Sequence, residues 1–94
     1  MRNEQPVATF LMQAFRRMNM TDAVNEYQVK EAYRSIVGDF INKLTWSVRY
    51  DNRTLYIKLA SAALKQELSF RRNDLAHRIN DQLGRSAVNK IVFM

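Results

Sequence analysis

The chain has 94 residues, 47% of them hydrophobic, and 15 lysines and arginines against 9 acids give it a formal charge of +6. This length supports one hydrophobic core, so we expect a single domain over residues 1–94, and the absence of cysteine excludes disulfides and thiolate metal sites and favours a reducing cytoplasm. Apolar runs are short and MRNEQPV lacks the layout of a signal peptide, which predicts a cytoplasmic protein with no membrane contact.

Two helices are predicted in the first half of the chain. Hydrophobic residues recur at helical spacing after Pro6, a favoured first residue of a helix, which predicts a helix over residues 6–18. A second hydrophobic stripe covers residues 21–44 and is interrupted by Gly38. We expect this second helix to consist of two pieces that bend near the glycine.

Two antiparallel strands follow, because the hydrophobic period changes from near four to two at Thr45. A tight turn at Asp51 and Asn52, which both tolerate positive φ, joins them. Trp46 is expected in the core, the alternative being a platform on which a base stacks. The residues predicted to face that core are Trp46, Val48 and Tyr50 in the first strand and Leu55, Ile57 and Leu59 in the second.

A long helix and a third strand complete the predicted fold. Ser61 can cap the helix and Gly84 can end it in the left-handed conformation. Residues 88–93 then form a short strand, which a helical crossover allows to run parallel to its neighbour. The stripe that covers the sheet is Leu64, Leu68, Leu75 and Ile79. The fold class is therefore α+β, with the helices on one face of a three-stranded sheet.

The residues that carry catalytic chemistry are sparse. His77 is the single histidine, predicted to be exposed or to line a pocket opposite the leucine stripe, and without a partner histidine or cysteine it cannot complete a zinc site. Glu67 precedes Arg71 by four residues, and Asp74 and Arg78 share that spacing, which is typical of ion pairs on a helix surface. Both glycines stand alone, so no loop cradles a phosphate. We predict a protein that is not an enzyme and uses no cofactor or metal.

The positive charge is concentrated in residues 45–94, which hold nine basic against four acidic residues. Such a field favours phosphate backbones or an acidic protein surface. Alternation places Arg49, Tyr56 and Lys58 on the sheet face opposite the leucines, where the tyrosine ring offers a surface on which a base can stack. The alternative is that these charges only keep an exposed sheet face soluble and its edge unpaired.

Three further basic residues are candidates for the same field. Lys65 and Arg72 have no acid three or four residues away, unlike Arg71 and Arg78. The third strand has two possible registers, and Lys90 lies on the exposed sheet face in one of them. The hydrophobic pattern of the strand does not decide between the two.

Phe70 points away from the leucine stripe on the helical wheel. We expect it to contact another helix. The alternative is an exposed ring that marks a surface for binding a partner protein.

Several stretches resemble the DciA family of bacterial replicative-helicase loaders: AYRSIVGDFINKLT, RTLYIKLASAALKQELSFRRNDLAHRINDQLG and VNKIVF. The likeness extends from the first predicted helix to Phe93. Tyr33 stands where the family usually has tryptophan, and many members extend beyond this domain whereas this sequence stops at Met94. The most specific positions are the Val37-Gly38 bend, Thr45, Leu55-Tyr56-Ile57, Ser61, Glu67-Leu68, Leu75, Asn80 and Leu83-Gly84.

The resemblance implies a KH-like fold and a role in placing the ring-shaped replicative helicase on DNA without hydrolysing ATP. The expected partners are the helicase and single-stranded or forked DNA, bound without sequence specificity. The two-glycine loop with which KH domains clamp nucleotides is missing. Two alternatives stay open: an RNA-binding or ribosome-associated module that uses the same sheet face, and a pure protein adaptor whose charge steers it to an acidic partner.

Overall fold

The computed structural model describes residues 20–94, so the helix predicted over residues 6–18 lies outside the described part. The elements are α1 (Met20–Lys43), β1 (Thr45–Asp51), β2 (Thr54–Leu59), α2 (Ala62–Ser69), α3 (Arg72–Leu83) and β3 (Lys90–Phe93). The strand order is β1-β2-β3, with β1 antiparallel and β3 parallel to β2. The helices pack on one face of this sheet. The predicted α+β class is confirmed, and the arrangement is compatible with a KH-like fold.

The predicted bend in α1 is present at Gly38. This residue has φ 85° and ψ 178°, which interrupts the helical backbone and leaves two helical pieces. A Cβ at this position would meet no atom within 4 Å, so the backbone conformation, and not a lack of space, requires glycine here.

The hairpin turn lies one residue later than predicted. Asn52 and Arg53 have φ values of 51° and 62°, the two positive angles of a type I′ turn, while Asp51 stays in the strand and pairs with Thr54. The buried residue Val48 opposite Ile57 fixes this register, since a slip of one residue would turn every buried side chain to the solvent.

The prediction that Trp46 lies in the core is wrong. The register of β1 against β2 shifts between Thr45 and Ser47, which is a β-bulge, and the indole of Trp46 is 67% exposed. A bulge adds a residue to one strand and changes the side to which the next side chain points, so strict alternation fails at this position. The predicted inward positions Val48 and Tyr50 are buried and half-buried.

The single helix predicted between Ser61 and Gly84 is two helices, α2 and α3. The amide of Arg71 donates to the carbonyl of Leu68, three residues back, at 3.0 Å, and Arg71 itself adopts φ −110° and ψ 12°. The Ser69 hydroxyl donates to the carbonyl of Lys65 at 2.8 Å, a local bond of the kind that bends helices. The interruption therefore arises without glycine or proline and leaves no pattern in the sequence.

Both predicted caps and the predicted hydrophobic stripe are confirmed. The Ser61 hydroxyl accepts from the amide of Leu64 at 3.1 Å, and Gly84 is left-handed with φ 72°. Within the stripe Leu68, Leu75 and Ile79 are buried and Leu64 is half-buried. Complete burial of a side chain such as that of Ile79 contributes about 1.5–3 kcal/mol.

The side chains of the third strand that pack inward define which of its residues face the core. Ile91 and Phe93 are buried, which places Lys90 on the opposite face and decides the register that the sequence left open. The carboxamide of Asn80 accepts from the amide of Val88 at 2.8 Å and donates to its carbonyl at 2.9 Å, so α3 holds the segment that leads into β3. The core consists of Val29, Ala32, Tyr33, Val48, Leu55, Ile57, Leu59, Leu68, Leu75, Ile79, Ala87, Val88, Ile91 and Phe93.

Candidate nucleic-acid interface

The sheet face away from the helices carries three of the predicted site residues next to one another. Arg49 lies directly opposite Tyr56, and Lys58 follows Tyr56 by two residues on the same strand and same face. Tyr56 in turn pairs with Val92 of β3, and Thr54 pairs with Lys90. The predicted placement of Arg49, Tyr56 and Lys58 on one face is thus confirmed, and Lys90 lies on that face as well.

This face is cationic and accessible. Arg49, Lys58 and Lys90 are exposed, and no carboxylate among residues 20–94 forms a salt bridge with any of them. Asp51, opposite Thr54, is the one acid that the register places on the face within the described strands. Uncompensated charges on an exposed surface attract phosphates over about one Debye length, roughly 8–10 Å at moderate ionic strength.

Trp46 belongs to this surface, although the core was the preferred prediction for it. The Lys58 ammonium nitrogen lies 5.8 Å from the centroid of the Trp46 ring, which is a cation–π contact. Tyr56 is half-buried and exposes part of its ring on the same face. Two aromatic rings therefore lie among the three cations. We call the set of Arg49, Trp46, Tyr56, Lys58 and Lys90 the sheet surface.

The two remaining predicted cations lie elsewhere. Lys65 is on α2 and Arg72 begins α3, and both helices belong to the layer behind the sheet. Both side chains are exposed, and neither forms a salt bridge within the described part of the chain. By contrast, Arg71 lies 3.6 Å from Glu67, one of the two predicted ion pairs.

Phe70 is 81% exposed at the joint between α2 and α3, so the expected contact with another helix is wrong for the part of the chain that is described. Its neighbour Arg71 lines a groove of about 210 Å³, as does Ile41, the neighbour of the 72% exposed Phe40. The apolar lining of this groove is Ile36, Val37, Ile41, Leu68 and Leu75, and its charged rim is Arg71, Asp74 and Arg78. We call these eight lining residues the helical groove; Phe40 and Phe70 are not among them, and each is next in sequence to a residue that lines it.

A comparison with models of known protein families supports the resemblance found in the sequence. Residues 6–93 match the family model described as Dna[CI] antecedent, DciA. The chain belongs to the DciA family. No curated protein matches the chain.

Membership of the DciA family covers nearly the whole chain and includes every element of the described fold. The family consists of helicase loaders, which implies a loader-like role in DNA replication and an association with the replicative helicase. It is not a known family of enzymes.

Two further properties of the described residues bear on the chemistry of this DciA-family chain. His77 is exposed on α3, away from the leucine stripe, and lines a cleft, as predicted. Within residues 20–94 no three histidine or acidic side chains come together to hold a metal ion, and no helix there is long and apolar enough to cross a bilayer.

Proposed function

We propose that this protein binds single-stranded or forked DNA without sequence specificity through the sheet surface, contacts the replicative helicase through the helical groove, and acts without hydrolysing ATP. The observation that carries the DNA part is that Arg49, Lys58 and Lys90 share one accessible sheet face with Trp46 and Tyr56.

The chemistry of that face suits an unpaired strand. Lysine and arginine neutralise phosphates and release counterions, which supplies affinity without reading sequence. An aromatic face accepts any base, and each stacked base contributes about 1–3 kcal/mol. A duplex hides its base faces, so the two aromatic rings favour a single strand or the open arm of a fork.

Lys65 and Arg72 extend the positive field around the edge of the molecule in this proposal. Both are exposed and without a salt bridge in the described part, so their charge is available for long-range attraction. They lie behind the sheet, and we assign them to steering of the strand and not to contact with stacked bases.

The helicase contact is assigned to the opposite side of the fold. Phe70 is exposed and directly precedes Arg71, a rim residue of an apolar groove. Exposed aromatic rings, apolar residues and a charged rim have the composition of protein-binding surfaces, where aromatic side chains contribute most of the affinity. Because the helices cover one sheet face and the sheet surface is the other, helicase and DNA can be held simultaneously.

The decisive experiment measures the affinity of the full chain for a fluorescent single-stranded oligonucleotide over a range of salt concentrations. Replacing Arg49 and Lys58 together by glutamine should lower the affinity and reduce the slope of log affinity against log salt by about one to two units. The control replaces Lys30 and Arg34, which form ion pairs with Glu26 and Glu31 on α1, and changes the net charge equally. An unchanged slope in the sheet variant removes Arg49 and Lys58 from the interface.

Matched DNA and RNA strands in the same assay test the alternatives. Preferential binding of RNA at fixed salt would indicate contacts with the 2′-hydroxyl and would replace DNA by RNA as the ligand. Capture of the purified helicase without any affinity for either strand would leave a protein adaptor.

A further inference from the structure

A polar cleft of about 310 Å³ lies at the end of the sheet where β2 and β3 begin. The hairpin turn contributes Arg53, α3 contributes Asn73 and His77, and the segment before β3 contributes Asn89. No aspartate or glutamate is among the residues that line it. The cleft therefore presents a guanidinium, an imidazole and two carboxamides with no fixed negative charge.

The basic group of the cleft is held in position by the fold. A terminal nitrogen of Arg53 donates to the carbonyl of Ser86 at 2.9 Å, which leaves its other N–H groups available. The amide of Asn89 donates to the carbonyl of Arg53 at 2.8 Å, so the turn and the start of β3 are tied together. Asn80, also in the lining, uses its carboxamide on Val88 and is structural.

An adjoining cleft indicates which side of His77 an anion prefers. That cleft shares His77 and is also lined by Asp81 and Arg85. On this second side the carboxylate of Asp81 offsets the guanidinium of Arg85, whereas the side with Arg53 has a cation and no carboxylate. An anion in contact with His77 is therefore directed toward the guanidinium of Arg53.

We propose that the cleft of Arg53, Asn73, His77 and Asn89 binds a phosphate group of the nucleic-acid strand that crosses the sheet surface. This rests on the proposed function. A guanidinium fork and neutral N–H donors match the oxygens of a phosphate in charge and geometry.

The position of the cleft supports a link to the sheet surface. Arg53 and Asn89 directly precede Thr54 and Lys90, which pair with each other as the last row of the sheet. The backbone positions of Arg53 and Asn89 are one residue beyond that row, about 3.3 Å along each strand, so a nucleic-acid strand that passes Lys90 and leaves the sheet at this end runs toward the cleft. The cleft would thus fix where the strand leaves the protein.

The first test titrates the full, ¹⁵N-labelled chain with inorganic phosphate and separately with an oligothymidylate, against sodium chloride of equal ionic strength. We expect the amides of residues 53, 73, 77 and 89 to shift with both ligands and not with chloride. If neither ligand shifts them, the cleft is not a phosphate site and the proposal is overturned.

The second test compares Asn73→Asp with Gln82→Glu, which adds the same charge on the same helix outside the cleft. An aspartate in the first turn of α3 suits the helix dipole, so the protein should stay folded while the new carboxylate repels phosphate. We expect Asn73→Asp to weaken oligonucleotide binding about five- to tenfold and Gln82→Glu less than about twofold. Arg53→Asn, which keeps a residue tolerant of positive φ in the turn, should weaken it similarly.

The outcomes separate this inference from the proposed function. If the wild type binds the oligonucleotide and Asn73→Asp binds it as tightly as Gln82→Glu, the cleft proposal fails and the sheet surface stands. If the wild type does not bind the oligonucleotide at low salt but phosphate shifts the cleft amides, the DNA function fails. The cleft would then be a site for free phosphate, which also overturns its assignment to a nucleic-acid strand.

Discussion

The ammonium nitrogen of Lys58 lies 5.8 Å from the centroid of the Trp46 ring, on the side of the sheet that the helices leave uncovered. The contact exists because a β-bulge turns Trp46 out of the core and toward the strand that carries Lys58. It joins a positive charge and an aromatic surface in one structural unit, the combination that a phosphate-linked base needs.

Replacing Trp46 by alanine should separate binding from stability. Since the ring is 67% exposed, the free energy of unfolding should change by no more than about 0.5 kcal/mol. Loss of a stacking platform should weaken oligonucleotide binding by about 1–3 kcal/mol. Trp46 is the single tryptophan of the chain, so quenching of its fluorescence by the oligonucleotide reports the contact directly.

The conservative variant Trp46→Phe serves as the control, because it keeps an aromatic face and should retain most of the affinity. Full affinity in Trp46→Ala, or tryptophan fluorescence that does not respond to the strand, would exclude Trp46 from the interface.

The sequence predicted the strands, the caps and the inward-facing residues other than Trp46 because these depend on local patterns. Alternation identified Leu55 and Ile57 as buried, and the chemistry of Ser61 and Gly84 marked two helix ends. It also placed Arg49 and Lys58 on one face, since side chains alternate between the two sheet faces wherever a strand is regular.

The features that the sequence missed depend on three-dimensional contacts. A bulge at Trp46 changes the sheet face on which this side chain lies, and no glycine or proline marks the bulge in the sequence. The break at Phe70 arises from hydrogen bonds of Ser69 and Arg71 that helical periodicity does not encode. The cleft around Arg53 joins three segments distant in sequence, so no spacing of residues could reveal it.

Gly38 and Gly84 should respond differently to substitution, although both have positive φ. Gly38 has φ 85° and ψ 178°, a region that is essentially restricted to glycine, so Gly38→Ala should destabilise the protein by about 1–3 kcal/mol or straighten α1. Gly84 has φ 72° and ψ 22°, the left-handed helical region that asparagine tolerates, so Gly84→Asn should destabilise the protein less than Gly38→Ala.

Urea unfolding followed by circular dichroism measures both variants. A Gly38→Ala protein as stable as the wild type, with unchanged helix content, would show that the bend does not depend on the backbone freedom of glycine.

Stability should fall at alkaline pH because of Tyr33. This side chain is fully buried, and burial raises the pKa of its phenol above the ordinary value of 10.0. The Thr45 hydroxyl donates to the carbonyl of Ile41 at 2.8 Å, so in the 2.9 Å contact the tyrosine hydroxyl is the donor. The folded state thus holds the neutral, protonated phenol.

A phenol whose pKa is raised on folding stabilises the native state fully below pH 10.0, the ordinary value, and this contribution is lost as the pH rises toward the folded pKa. Tyr33→Phe removes the hydrogen bond with Thr45, so the free energy of unfolding should fall by about 0.5–1.5 kcal/mol at neutral pH. The stability of this variant should also decline less steeply above pH 10. Urea midpoints between pH 7 and pH 11 measure this. Parallel curves for the two proteins would show that Tyr33 does not control the alkaline decline.

Phe70→Ser should test the helicase contact proposed for Phe70 without disturbing the fold. Because the ring is 81% exposed, the substitution removes little packing, and the urea midpoint should stay close to that of the wild type. If the ring inserts into the replicative helicase, its loss should weaken the complex by about 1–3 kcal/mol, as for an aromatic anchor of an interface. Calorimetric titration of the purified helicase gives the affinity.

The matched control is Tyr27→Ser, which removes another aromatic ring, 65% exposed, from α1. Equal affinities for wild type, Phe70→Ser and Tyr27→Ser would remove Phe70 from the helicase contact. A loss confined to Phe70→Ser, with oligonucleotide binding intact, would assign the two partners to opposite faces of the sheet.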